Sequence, residues 1–148
     1  MDLTMEAEDL DEPNMKRQRL QTMRVLTGSI EKILHWHKIL PNNVFCLFET
    51  IGPCIKVNNG FNRLEKRLLL RDERGPVLQV SYYETEIPIN EELIQAGKII
   101  HCIGRMVSAN RLIALKISEI QSDKSNIQAY LSRISFKLEN TVNRITYQ

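Results

Sequence analysis

Between residues 44 and 120 the chain alternates apolar, strand-like runs with strong turn signals, which limits it to a small, mainly antiparallel β structure. The first run, Val44-Phe45-Cys46-Leu47-Phe48, continues past Gly52-Pro53 into Cys54-Ile55-Lys56-Val57. It reads as one long strand bent at the Gly-Pro pair, because Gly permits a bulge and Pro removes a ladder donor. Asn58-Asn59-Gly60 then turns the chain. A second strand over residues 67–71 is closed by the turn Asp72-Glu73-Arg74-Gly75-Pro76. In a third strand, over 77–83, alternation places Leu78, Val80 and Tyr82 on one face, and Gln79, Ser81 and Tyr83 on the other. Residues 99–107 and 112–120 form a hairpin across Ser108-Ala109-Asn110. Its second strand is expected to point Ile113, Leu115 and Ile117 inward, and Ala114 and Lys116 outward.

Helical periods interrupt this pattern at defined places. Thr27 or Ser29 can cap a short helix carrying Ile30, Ile33 and Leu34, and Pro41-Asn42-Asn43 ends it. Asn90, followed by Glu91 and Glu92, starts a second short helix that Gly97 is placed to end. After Asp123, Ile127, Leu131, Ile134, Leu138, Val142 and Ile145 recur at steps of three or four, which predicts one amphipathic helix over 125–145. The order is helix, three strands, helix, two strands, helix. A mainly β, five-stranded barrel with a helix between strands 3 and 4 is the layout of an OB-fold, here followed by a long C-terminal amphipathic helix. The expected division is a tail over 1–24, an OB-fold domain over 25–122 and a partner-binding helix over 123–148.

Composition narrows the function classes. The chain is 148 residues long and 43% hydrophobic, enough for one cored domain. Residues 1–24 are polar and charged, holding six acids and four bases. This leaves sixteen bases against twelve acids, +4, over the remainder, a mild bias toward a polyanionic partner. Within the tail, Met15-Lys16-Arg17-Gln18-Arg19-Leu20 reads either as a short nuclear-import signal or as a solvated charge cluster. No apolar secretory segment opens the chain, so Cys46, Cys54 and Cys102 are expected to be small core residues in a reducing compartment. No stretch approaches the roughly 20 apolar residues of a membrane span, and no membrane contact is expected.

Catalytic and metal chemistry find little support. His35-Trp36-His37, His101 and the three cysteines offer donors, but no Cys-x-x-Cys or His-x-x-x-His pair provides zinc-like spacing. No phosphate-binding loop of the form G-x-x-x-x-G-K-[ST] is present, and no nucleophile has a local base. Glu84, Glu86, Glu91 and Glu92 read as loop and cap residues. The expectation is a non-enzyme with no cofactor and no metal.

The chain resembles the middle subunit of replication protein A and the Stn-type subunit of telomere-capping complexes. The resemblance runs over residues 27–145 and is carried by Gly52, the stretch from Leu70 to Val80, Gly97-Lys98, Gly104-Arg105 and Leu115-Lys116-Ile117. It implies a nuclear, chromosome- or telomere-associated protein in a hetero-oligomer, with a DNA-contacting barrel face. It also implies a final helix that packs against another OB-fold subunit, here through Ile127, Leu131, Ile134, Leu138, Val142 and Ile145. The family's stacking aromatic at the end of the third strand falls on Tyr83. Its second, in the hairpin after the fourth strand, falls near Ala109, which is a departure.

An OB groove binds single strands by stacking bases on aromatics and tracking phosphates with Lys or Arg. The candidate track is Lys56, Arg63, Lys66, Arg67 and Arg71, joined by Arg105, Arg111 and Lys116, with Phe61 as an additional stack. The alternatives are that these residues only solubilise the surface of a pure assembly adaptor, or that the strand bound is RNA. Because residues 1–24 carry little apolar content, a chain starting near Val25 is expected to melt with the cooperativity of the full chain. Circular dichroism on heating checks this.

Overall fold

A computed structural model of the chain describes residues 24–59, 64–84 and 94–146. In order they form β1 (Arg24–Thr27), α1 (Ile30–Ile39), β2 (Cys46–Asn59), β3 (Glu65–Arg71), β4 (Val77–Tyr83), β5 (Ile99–Ser108), β6 (Arg111–Glu119) and α2 (Lys124–Thr146). The sheet runs β1-β2-β3-β4-β6-β5, and β5 returns to pair with β2. The strands β2 to β6 thus close into a five-stranded barrel, the predicted OB layout, with β1 added outside as a parallel partner of β2. The expected helix over 90–97 falls largely outside the described residues. Its last part, at 94–98, is a turn in which Gly97 donates its N–H to the Cys54 carbonyl at 2.8 Å.

β1 is not among the elements expected from the sequence, which open with the helix capped at Thr27 or Ser29. Its four residues pair with Cys46–Glu49, about twenty positions further on, and a strand that short shows no period of its own. Ser29, not Thr27, caps α1: its hydroxyl accepts the Lys32 N–H at 3.2 Å. Thr27 instead donates its hydroxyl to the Glu49 carboxylate at 2.7 Å.

β6 corrects a second expectation. Leu112, Ala114 and Ile117 are the buried residues, whereas Leu115 is 62% exposed. The ladder with β5 steps from Ile103↔Lys116 to Gly104↔Ala114, so Leu115 is one extra residue in a bulge. A single inserted residue reverses the in–out phase, which strict alternation misses. Gly104 is what allows it. A Cβ there would collide with the Ile113 carbonyl oxygen and sit 2.8 Å from Leu112 Cδ2.

The core joins both helices to the barrel. Ile30, Ile33 and Trp36 of α1 are fully buried with Leu68, Leu70, Leu78, Val80, Ile100, Cys102 and Leu112. Ile30 reaches so close to β2 that a side chain at Gly52 would lie 2.6 Å from its Cδ1.

α2 starts at Asp123, whose carboxylate accepts the Ser125 N–H at 3.3 Å and whose carbonyl accepts the Ile127 N–H. It packs on β1, α1 and β2. Of the apolar stripe, Ile127, Leu131, Val142 and Ile145 are buried within the chain, with Val142 fully so, while Ile134 and Leu138 are half-buried. The late positions Val142 and Ile145 are therefore covered within the chain itself. Because β1 and α1 extend the core past the barrel itself, α2 has a longer bed than five strands would supply. Glu139 fixes it there, bonding Lys32 Nζ at 2.9 Å and Trp36 Nε1 at 3.4 Å.

Among the described residues of α2, the large apolar side chains left exposed are Phe136, 80% exposed, and Tyr130, 44% exposed. Val142→Glu is accordingly expected to cost several kcal/mol of stability, because it buries an unpaired charge. Phe136→Glu should shift stability by no more than about 0.5 kcal/mol. Urea unfolding of the two variants, monitored by Trp36 fluorescence, distinguishes them.

Candidate nucleic-acid interface

Residues opposite one another in an antiparallel ladder share a face, so the register assigns the outer side chains directly. Between β3 and β4 the outward pairs are Glu65↔Tyr83, Arg67↔Ser81, Leu69↔Gln79 and Arg71↔Val77. Between β2 and β3 they are Lys56↔Leu69 and Asn58↔Arg67. β6 adds Arg111, paired with Gln79. The intervening residues Leu68, Leu70, Leu78, Val80 and Tyr82 fill the barrel, as alternation in β4 predicts.

One outer face therefore brings together Lys56, Arg67, Arg71, Arg111 and Tyr83 from the predicted set. Lys56 and Arg71 are exposed; Arg67, Tyr83 and Arg111 are half-buried. Arg71 also serves the β3–β4 turn, donating Nε–H to the Gly75 carbonyl at 2.9 Å.

The centre of this face is a cluster that the sequence reading did not single out. Glu65 is only 2% exposed, and its Oε2 accepts from Arg111 Nη2 at 2.9 Å and from Arg67 Nη2 at 3.1 Å. Arg111 Nε donates to Ser81 Oγ at 3.1 Å. A buried carboxylate requires such partners, since an unpaired one is strongly disfavoured. The available signal was Glu65-x-Arg67, two charged residues on the same side of a strand.

Other predicted residues stand elsewhere. Lys66 belongs to the opposite phase, at a recess it shares with Val57, Asn59, Tyr82 and Ile94, and it bonds Asn59 Oδ1 at 2.9 Å and faces Glu84 at 3.6 Å. Arg105 is exposed at the far edge, beside Phe45, His37 and Leu40. Lys116 pairs with Ile103 on another part of the wall. Phe61 and Arg63 lie outside the described residues. The hairpin position Ala109 offers no ring, as the sequence indicated.

Lys116 stands near a second polar group, in which His101 Nε2 meets Glu49 Oε2 at 2.6 Å and Ser118 Oγ lies 3.5 Å from His101 Nδ1. Burial alone would push the Glu49 carboxyl up. Hydrogen bonds from His101 and Thr27, with the charges of His101 and Lys116, outweigh it and hold the group below the usual range. The cysteines are buried; burial and the nearby Glu49 charge push the Cys102 thiol up to about 12. Burial raises Cys46 and Cys54 as well, so none presents a ready thiolate.

At the start of α2 a cleft of about 310 Å³ carries Glu31, Asp72 and Glu73 beside Lys124. Burial, then the charge of Glu31, raises the Asp72 carboxyl above its usual range. The charged lining of this cleft is thus mainly acidic.

With the closed barrel and the outer face defined, the class is an OB-fold domain, and solved structures agree. One chain of a replication protein A heterotrimer bound to single-stranded DNA matches at TM-score 0.59 and 11% identity, over 80% of this chain and 97% of that one. Yeast Stn1 and Ten1 provide a match at 0.58 and 10%, over 82% and 75%. The S. pombe Stn1–Ten1 complex provides one at 0.52 and 14%, over 68% and 76%. At such identities the likeness establishes the fold. No family model and no curated protein matches the chain.

The Glu49 shift carries a pH consequence. Its folded-state pKa lies below the unfolded value, so its stabilisation is full above the unfolded pKa and disappears as pH falls through the folded one. Glu49→Gln should lower the melting temperature at neutral pH, and the gap to the unaltered chain should close on acidification through the carboxylate range. Melts across a pH series check this.

Proposed function

We propose that this chain is a non-catalytic subunit of a single-stranded-DNA-binding complex of the replication-protein-A-like or telomere-protecting kind, acting in the nucleus. The observation that carries the reading is the convergence of Lys56, Arg67, Arg71, Arg111 and Tyr83 on one outer face of an OB barrel. Stacking on Tyr83 and phosphate contact from Lys56 and Arg71 give that face the two interactions a single strand uses. The structural neighbours support it: they are Stn1–Ten1 assemblies and a replication protein A heterotrimer bound to single-stranded DNA.

Assembly with another OB-fold subunit is assigned to α2. Since most of the stripe is spent on the chain's own core, contact falls to the outer flank, where Phe136 and Tyr130 project and Ile134 and Leu138 remain half-exposed. The same exposed Phe136 also favours a second reading, an adaptor whose barrel binds only protein. The missing aromatic at Ala109 points the same way.

Fluorescence anisotropy with a labelled oligothymidylate separates the two. Tyr83→Ala is expected to weaken binding by about 1–3 kcal/mol, the worth of one stacked base. Lys56→Ala and Arg71→Ala should each take about 0.7 off the slope of log K against log salt, the value for one lost phosphate contact on a single strand. No binding by the unaltered chain would establish the adaptor.

A further inference from the structure

We propose that Glu65 is a positioning residue that holds Arg67 and Arg111 as a paired guanidinium platform for the bases of a single strand. The platform takes the place of the second aromatic surface that the β5–β6 hairpin lacks at Ala109. This rests on the nucleic-acid reading of the same face.

The geometry is that of a preset surface. Glu65 lies directly opposite Tyr83 in the ladder, so its carboxylate marks a point one strand spacing from the aromatic ring's anchor. A single oxygen, Oε2, ties both guanidiniums, at 2.9 and 3.1 Å, and the Glu65 side chain is 3% exposed. Arg111 is held at a second edge by Ser81 Oγ, which fixes the orientation of its plane. The Arg side chains nonetheless keep 28% and 19% of their own surface exposed, for Arg111 and Arg67 respectively.

Guanidinium planes stack on bases much as aromatic rings do, and lysine does not replace them there. An arginine already fixed by a buried carboxylate loses less freedom on binding than a free one. Two guanidiniums and one carboxylate keep one positive charge, so the cluster still attracts a polyanion.

The sign of one substitution tests this against simple electrostatics. Glu65→Gln removes an acid from a face that binds a polyanion. If Glu65 only damped the positive potential, affinity would rise and the salt slope would steepen. Positioning predicts the reverse: the full 148-residue chain carrying Glu65→Gln binds labelled oligothymidylate about tenfold more weakly, the loss of one ordered stacking surface. On an abasic strand with the same phosphates, binding should be unchanged or tighter.

Arg111→Lys keeps the charge and loses the plane. It should reproduce the loss on oligothymidylate with an unchanged salt slope, and it carries the test if Glu65→Gln does not fold. Equal or tighter binding of oligothymidylate by folded Glu65→Gln, or by Arg111→Lys, overturns the proposal. If these variants keep their affinity while Tyr83→Ala loses it, the platform fails and the nucleic-acid reading stands. If the unaltered chain binds neither strand, both fall.

Discussion

At Ile55 the ladder between β2 and β3 skips one residue, and the bend this puts into a 14-residue strand is what closes the barrel. Residues 46–53 of β2 bond to β1 and β5, and residues 54–59, which contain the skip, bond to β3. Without that change of partner the six strands would form an open sheet with a long edge, which proteins avoid. The skip also decides chemistry. Cys54 points into the core opposite Leu70, so strict alternation would send Lys56 inward as well. The extra residue turns Lys56 out, beside Leu69 and next to Asn58 and Arg67. Closure and the placement of a cation on the outer face are thus one event.

α2 extends the same logic to the other end. It rests on β1 and α1, and those elements are ordered by the first half of β2 and by its Gly52. Glu139 ties Lys32 and the buried Trp36 to the helix across more than one hundred residues of sequence. Val142 completes the core. A boundary drawn at residue 123 therefore separates two elements by period but not by packing, since the helix shares one apolar core with the barrel.

What the sequence made legible follows from range. Alternation in β4, the turn at Ala109-Asn110, the end of α1 at Pro41 and the period of α2 are all local, and each corresponds to an observed element. β1 was missed because its ladder partner, β2, and the helix that packs on it, α2, both lie far along the chain. The phase of β6 was inverted up to Leu115, though not at Lys116 and Ile117, because the bulge at Leu115 is enforced from across the ladder, by the contact between Gly104 and Ile113. At the candidate site, five of the ten proposed nucleic-acid residues share a face: Arg67, Arg71, Tyr83 and Arg111 by strand alternation and ladder register, and Lys56 through the skip at Ile55. Glu65 escaped notice since an acid among lysines and arginines on a strand looks solvent-exposed until its burial beneath two arginines is seen.

The same constraints account for why a weakly furnished groove and an exposed helix flank would occur together. A single stacked base contributes only about 1–3 kcal/mol, and this face offers one tyrosine where two aromatics are the fuller arrangement. Such a barrel on its own would release its strand readily. Coupled to a second OB subunit through the Phe136 flank of α2, it would meet the strand at the high effective concentration set by the neighbour's hold. Gains of about 10²–10⁴ in avidity then need no further contact. Charge is unevenly distributed: Glu31, Asp72 and Glu73 line the cleft at the start of α2, while Lys56, Arg67, Arg71 and Arg111 stand on the outer face formed by β2, β3, β4 and β6. On the function proposed above, a strand crossing this face would pass over Tyr83 and the arginines that Glu65 bonds.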